Sequence, residues 1–329
     1  MEKALGLLKR TLLLFAALVF VLVMSGIVYQ TASAEADRRN FPAPGNLIDV
    51  GGFKMHVHCM GQGSPTVILE TLAGGTSSYW GWVQSEVAKT TRVCVYDRAG
   101  RGWSEADPQP VTLARTVRNL YTLLTNARIE GPYVLVGHSI GGIYVRQFAA
   151  EHPEDVVGMV LVDSAHPYQF DRYPNMRNEN ESYQEMTAAF PTLARLGVFR
   201  VYFAAGGELD FAEMKEPQKS EIKAIWSSPE YFESQHAEAA AVPEIYGSGQ
   251  KLGRLGDLPL LVITAGQNAP GGWRELQGDL ASLSDKSTQL TLETATHVSL
   301  AFHPEDARQV SQGIMTMVDA LRTTGQLED

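Results

Sequence analysis

The chain is poor in cysteine, in charge and in basic residues. Its 329 residues include two cysteines, 19% are charged, and 27 Lys and Arg face 37 Asp and Glu, a formal net charge of −10. The imbalance sharpens past residue 34. Setting aside Lys3, Lys9, Arg10 and Glu2 leaves 27 − 3 = 24 basic against 37 − 1 = 36 acidic residues, a net of −12. Such an acidic globular part lacks the electropositive footprint of a nucleic-acid binder, so nucleic acid is excluded as a partner. Neither cysteine resembles a nucleophile. No phosphate-binding glycine loop and no full set of metal ligands occurs, so no cofactor and no metal is expected. His56 and His58, two apart on one strand face, would make half a metal site without a third ligand. Repeats and low-complexity tracts are missing too. What is left is one large domain, or one domain with an insertion, that is 44% hydrophobic and long enough to bury a core.

One long hydrophobic run is present. Residues 1–10 are short and basic, Thr11 to Tyr29 is nearly all apolar, and Ala32-Ser33-Ala34 follows. A charged start, an apolar stretch and an Ala-x-Ala end make a secretory signal. A membrane anchor needs about 17–25 apolar residues, and the run through residues 11–29 is nearer that length than the 7–15 of a signal. The length favours an uncleaved anchor over residues 1–34. Under either reading the basic end stays in the cytoplasm. The rest is then outside it, tethered to the membrane, or secreted or periplasmic after cleavage. Residues 35–45, with two prolines and a glycine, read as a linker.

The chemistry centres on Tyr133-Val134-Leu135-Val136-Gly137-His138-Ser139-Ile140-Gly141-Gly142. A β-branched run enters this stretch, a Gly-x-Ser-x-Gly turn follows, and a helical pattern leaves it. Strand, sharp turn and helix are what a nucleophile elbow needs, with the serine strained and its hydroxyl held out at the sheet edge. Side chains at Gly137 and Gly141 would collide as strand and helix fold back on each other. The helix N-terminus behind Ser139 favours a developing negative charge.

Strands and helices alternate around this point. Two alternating runs about Gly51-Gly52 predict a hairpin. Buried strands are predicted at 66–69, 92–96, 156–163 and 258–265, and a last strand at 289–293. Helical periodicity covers 112–126, and a final helix runs from Pro304 to about Thr323. This pattern predicts a mostly parallel sheet covered on both faces, the core spanning 46–165 and 257–329. Residues 166–256 break the rhythm with helical patterns, five prolines and many aromatics, among them Phe170, Phe190, Phe199, Phe211, Phe232 and Tyr246. They read as a helical cap over the site. Some of these aromatics are expected to line an apolar pocket and most to form the cap's own core.

The hairpin, Tyr96-Asp97-Arg98-Ala99-Gly100-Arg101-Gly102-Trp103-Ser104, Gly137-His138-Ser139-Ile140-Gly141-Gly142 and His297 after the last strand together resemble the α/β-hydrolases, from about Asn46 onward. The chain resembles the capped serine hydrolases of the esterase and lipase type. A serine at 139 speaks against the branches whose nucleophile is an aspartate. The resemblance implies an eight-stranded, mostly parallel sheet flanked by helices, with the cap inserted. It implies His297 as the base for Ser139, His303 being the rival. The acid commonly follows the strand that ends at Ala265, but Gly266-Gln267-Asn268-Ala269-Pro270 holds no carboxylate. The second location used by such enzymes is the end of the preceding strand, where Asp163 stands; Glu275 and Asp279 are the alternatives. The oxyanion hole is expected from the backbone N–H of Ile140 and of Ala73, or of Leu72. Asp97 and Arg98 are expected to tie loops together. Cys59 and Cys94 fall on neighbouring strands, as a disulfide or as two buried thiols. The implied function is hydrolysis of a small-molecule ester with a hydrophobic acyl or aromatic part, through an acyl-enzyme. Hydrolysis of a peptide or carbon–carbon bond, perhydrolysis, and small-molecule binding without turnover are the alternatives.

Overall fold

A computed structural model describes residues 2–207, 214–267 and 269–323. Its first element is one helix, α1 (Glu2–Asn40), whose apolar side chains stand exposed through most of its length. It is long and apolar enough to cross a membrane. Residues 35–40 of the segment read as a linker are helical, which corrects that part of the reading; residues 41–45 lie in neither helix nor strand. The pairs Arg38–Glu35 and Arg39–Glu35, each 3.4 Å apart on the exposed surface, add little to hold it. The stronger cause is tertiary: Asp37 accepts a hydrogen bond from the buried Arg200 guanidinium at 2.5 Å. Pro42 then forbids continuation.

Eight strands form one sheet: β1 (Asn46–Asp49), β2 (Lys54–Met60), β3 (Thr66–Glu70), β4 (Val93–Tyr96), β5 (Tyr133–His138), β6 (Val156–Val162), β7 (Leu260–Ala265) and β8 (Ser287–Leu292), in the order β1-β2-β4-β3-β5-β6-β7-β8. β2 runs antiparallel to both its neighbours, and every later pairing is parallel. The first hairpin turns through Gly51 and Gly52, at φ 114° and 104°, which suits only glycine.

The helices that cover the sheet are α2 (Gly81–Val87), α3 (Leu113–Asn126) and α4 (Gly141–Glu151). Between β6 and β7 the chain inserts six helices among the described residues: α5 (Gln169–Arg172), α6 (Pro174–Thr187), α7 (Phe190–Arg195), α8 (Val198–Ala204), α9 (Gln218–Ile225) and α10 (Pro229–Gly249). The core closes with α11 (Trp273–Ala281), α12 (Ser299–Phe302) and α13 (Pro304–Thr323). The period of two in the strands sorts their side chains to two apolar layers. Leu135, Met159 and Val262 pack with α3, α4 and residues Val242, Ile245 and Tyr246 of α10. Val134, Val136, Val160 and Val162 pack with α2 and α13. Both faces are thus dry, as a parallel sheet requires. The prolines of the insertion start helices more than they interrupt them. Pro174, Pro191 and Pro229 stand in first turns, where the missing N–H costs nothing, while Pro243 lies inside α10.

Candidate active site

Ser139 sits between β5 and α4 with φ 57°, a left-handed conformation that strains any residue but glycine. The close return of helix on strand is set by the flanking glycines. A Cβ on Gly137 would lie 2.7 Å from the Gly141 backbone, and one on Gly141 would lie 2.8 Å from the Thr71 carbonyl oxygen. The elbow is sewn to the end of β6. Ser139 N–H donates to Val162 O at 3.2 Å, and Ala165 N–H donates to Ser139 O at 2.8 Å.

Asp163, the next residue of that strand end, is also left-handed, at φ 42°, and buried. Its Oδ2 accepts from His297 Nδ1 at 2.6 Å. Its Oδ1 accepts from the backbone N–H of Ala265 at 2.9 Å and from Trp273 Nε1 at 2.7 Å. Burial alone would raise this carboxyl, but the hydrogen bond and charge of His297, the indole and the amide together hold it below its ordinary range. The carboxylate is therefore ionised at neutral pH and can only accept. His297 must carry its proton on Nδ1, which leaves Nε2 free to act as a base. The histidine is fixed from a second side. His138 Nε2 donates to the His297 carbonyl at 2.9 Å. Burial, then the neighbouring His297, lowers His138 to about 3, so it serves as a neutral donor.

The loop after β3 is held from below by Arg98. Its guanidinium donates to the carbonyls of Thr71 and Leu72, both at 2.9 Å. In a trans peptide the N–H points opposite to the C=O. Arg98 therefore sets the directions of the Leu72 and Ala73 N–H groups, the candidate donors on this loop that would act with Ile140 N–H. The guanidinium is itself clamped between Glu70, which also accepts from Thr71 N–H and Tyr96 Oη, and Glu238 of α10. Glu238 reaches across from the cap. It accepts from Gly74 N–H at 3.2 Å and Arg101 at 2.9 Å, and Tyr231 Oη donates to Gly74 O at 3.1 Å. Burial would raise the Glu238 carboxyl, but Arg98 and Arg101 hold it low. The cap and the loop after β3 thus share a buried ionic cluster.

Ser139, Asp163 and His297 line one cavity of about 400 Å³, with Phe170, Tyr246 and Trp273 on its apolar side. The other expected candidates lie elsewhere. Glu275 accepts from Tyr173 Oη at 3.2 Å, Asp279 pairs with Arg172, and His303 faces Asp306 at 3.9 Å. Asn268 and Phe211 lie outside the described residues. His56 is buried against Asp97 at 2.8 Å. Cys59 and Cys94, opposite each other on β2 and β4, are joined as a disulfide. Of the cap aromatics, Phe190, Phe199, Tyr231 and Phe232 make a separate cluster. Arg98 ties loops together as expected, through Thr71 O and Leu72 O; what the sequence does not single out is His138, Trp273 and the carboxylates Glu70 and Glu238 that clamp Arg98. A histidine inside Gly-x-Ser-x-Gly was a signal for the first; a tryptophan at a helix start reads only as core.

The sequence model of the alpha/beta hydrolase family matches residues 57–311. An uncharacterized protein of Schizosaccharomyces pombe is 26% identical over 296 residues, 78% of this chain and 52% of its own length. The chain thus spans about half of that relative. The uncharacterized protein YqjL of Bacillus subtilis is 24% identical over 75% of this chain and 83% of its own. Among solved structures, an esterase from Exiguobacterium antarcticum superimposes with a TM-score of 0.63 at 18% identity, covering 84% of this chain and 99% of that one.

Proposed function

The chain belongs to the alpha/beta hydrolase family, and we propose that within it the protein is a membrane-anchored serine hydrolase of carboxylic esters, working through Ser139, His297 and Asp163. The observation that carries the reading is the 2.6 Å contact of His297 Nδ1 with Asp163 Oδ2 in the cavity that Ser139 lines. In this mechanism Ser139 Oγ attacks the ester carbonyl while His297 Nε2 takes its proton. The tetrahedral oxyanion is met by the N–H groups of Ile140 and Ala73. Its collapse expels the alcohol, which receives the proton back from His297. Water, deprotonated by the same nitrogen, then hydrolyses the acyl-enzyme. Asp163 stays ionised and keeps His297 in the productive tautomer. Phe170, Tyr246 and Trp273 on the cavity wall favour a hydrophobic acyl or aromatic group.

Two features support an anchor that stays in place, with the catalytic part outside the cytoplasm. Gln30, buried, donates to Ser227 O at 3.1 Å and accepts from Arg200 Nε at 2.7 Å. Cleavage after Ala34 would remove that carboxamide from the buried guanidinium. The Cys59–Cys94 disulfide also suits an oxidising compartment.

A fluorophosphonate probe, read by intact mass on the wild type and on Ser139→Ala, tests the chemistry. One adduct on the wild type alone is expected, with turnover of aryl and acyl esters that depends on acyl length. A folded wild type without an adduct would overturn the hydrolase mechanism and leave small-molecule binding. An adduct without ester turnover would move the reaction to another bond.

A further inference from the structure

We infer that α8 of the cap is an interfacial helix that lies on the lipid bilayer beside α1, so that the cap itself is seated on the membrane surface. The inference rests on the proposed anchor and goes beyond it, because an anchor alone leaves the domain's orientation free.

Besides the bond of Gln30 to Ser227 O, two contacts fix how α1 meets the cap. At the first, backbone crosses backbone. A Cβ on Gly26 would stand 2.3 Å from Leu196 O, and one on Gly197 would stand 3.1 Å from Gly26 O. Gly197, at φ 73°, is the capping residue just before α8. At the second, Arg200 of α8 reaches along α1 to Gln30 and Asp37, at 2.7 and 2.5 Å. α8 is thereby held at one height on α1, with its Arg200 side turned toward the polar end of that helix.

That height is the edge of the hydrocarbon. At 1.5 Å per residue the run from Thr11 to Tyr29 spans about 28 Å, close to the roughly 30 Å of a bilayer core. Gly26 lies three residues before Tyr29, so the crossing falls about 4–5 Å inside the apolar end. The face of α8 opposite Arg200 carries Val198, Val201 and Tyr202 at the i, i+3, i+4 spacing of one helical stripe. These side chains are 43%, 58% and 49% exposed, whereas Tyr231 and Phe232 of the neighbouring cap cluster are buried. An exposed apolar stripe at interface depth, continuous with a spanning helix and bearing a tyrosine, matches what a bilayer surface accepts.

The test uses the full chain, one copy per phosphatidylcholine nanodisc, labelled with bimane at Val201→Cys or, as a second position, Val198→Cys. Leu18→Cys in the middle of α1 and Thr122→Cys on the exposed side of α3 are the controls. Brominated acyl chains report lipid, and aqueous iodide reports water. The expected result is at least twofold stronger lipid quenching at 201 and 198 than at 122, with iodide quenching reduced at least twofold. Lipid contact at 18 with free iodide access at 201 and 198 would overturn the inference and keep the anchor. Iodide access at 18 would overturn the anchor itself. Shielding of 201 and 198 from both quenchers would replace the bilayer by a protein partner, a second copy of the chain included.

Discussion

Trp273 donates its indole N–H to Oδ1 of Asp163 at 2.7 Å, on the oxygen that His297 does not use. With the Ala265 N–H on the same Oδ1, these donors fix the carboxylate, and so the imidazole paired with it. Asp163→Asn should lower kcat by about 10⁴-fold, as when other serine triads lose the charge and tautomer control of their acid. Trp273→Phe removes one hydrogen bond to a charged group, worth about 1.5–3 kcal/mol. It should lower kcat by roughly tenfold or more, with KM little changed. Steady-state kinetics on one ester separates the two. Near-normal turnover in Asp163→Asn would return the role of acid to Glu275 or Asp279.

The buried clamp makes a second test. Glu238 lies between Arg98 and Arg101, so its loss leaves two buried cations with less counter-charge. Glu238→Ala should cost about 3–5 kcal/mol of stability, measured as a shift of the urea midpoint. Glu238→Gln keeps an acceptor and should cost less, yet it loosens the acceptor for Gly74 N–H and hence the loop after β3 with its candidate oxyanion donors. A fall in kcat measured far below the melting point is expected for this variant. Unchanged kcat would separate the clamp from catalysis.

His138 couples the site to pH. Its imidazole is lowered to about 3 by burial, against 6.5 for the ordinary side chain. The unfolded chain therefore binds a proton that the folded one refuses, and folding stability falls as pH drops below 6.5. At pH 5 the loss amounts to 1.5 pH units at 1.36 kcal/mol each, about 2 kcal/mol. His138→Phe cannot take the proton. Between pH 7 and pH 5 the variant should lose less stability than the wild type by about that amount, whatever its starting value. Parallel urea midpoints at the two pH values read this out, and equal losses in both proteins would reject it.

The parts of the fold that were legible in the sequence are those with a single physical cause. β3, β5 and β6 are β-branched runs bounded by turns, and Gly137-His138-Ser139-Ile140-Gly141 needs its glycines for one tight return. Other parts depend on partners far along the chain. Residues 35–40 carry linker-like charges, yet Arg200, more than 160 positions later, keeps Asp37 in the helix. Asp163 could be singled out only by resemblance, because a strand-end aspartate does not announce that His297 will fold onto it. Trp273 and Glu238 were invisible for the same reason, since a tryptophan and a glutamate at helical spacing read as core and as surface. The cap's aromatics have the right composition for a pocket, but composition does not say that Phe170 and Tyr246 line the cavity of Ser139 while Phe199 and Phe232 stack on each other.

The strain at the elbow is measurable by itself. Ser139 holds φ 57°, which costs a non-glycine residue of order 1 kcal/mol or more. Alanine at this position keeps the Cβ and the strain, whereas glycine relieves it. Against this, glycine gives the unfolded chain extra freedom, an effect of about 0.4–1 kcal/mol. At a left-handed position the relief outweighs that entropy. Ser139→Gly should therefore be more stable than Ser139→Ala by up to about 1 kcal/mol, and both are expected to be inactive. Urea midpoints of the two variants make the comparison. Greater stability of the alanine variant would mean that the backbone relaxes once the hydroxyl is gone, and that the serine itself holds the strained turn.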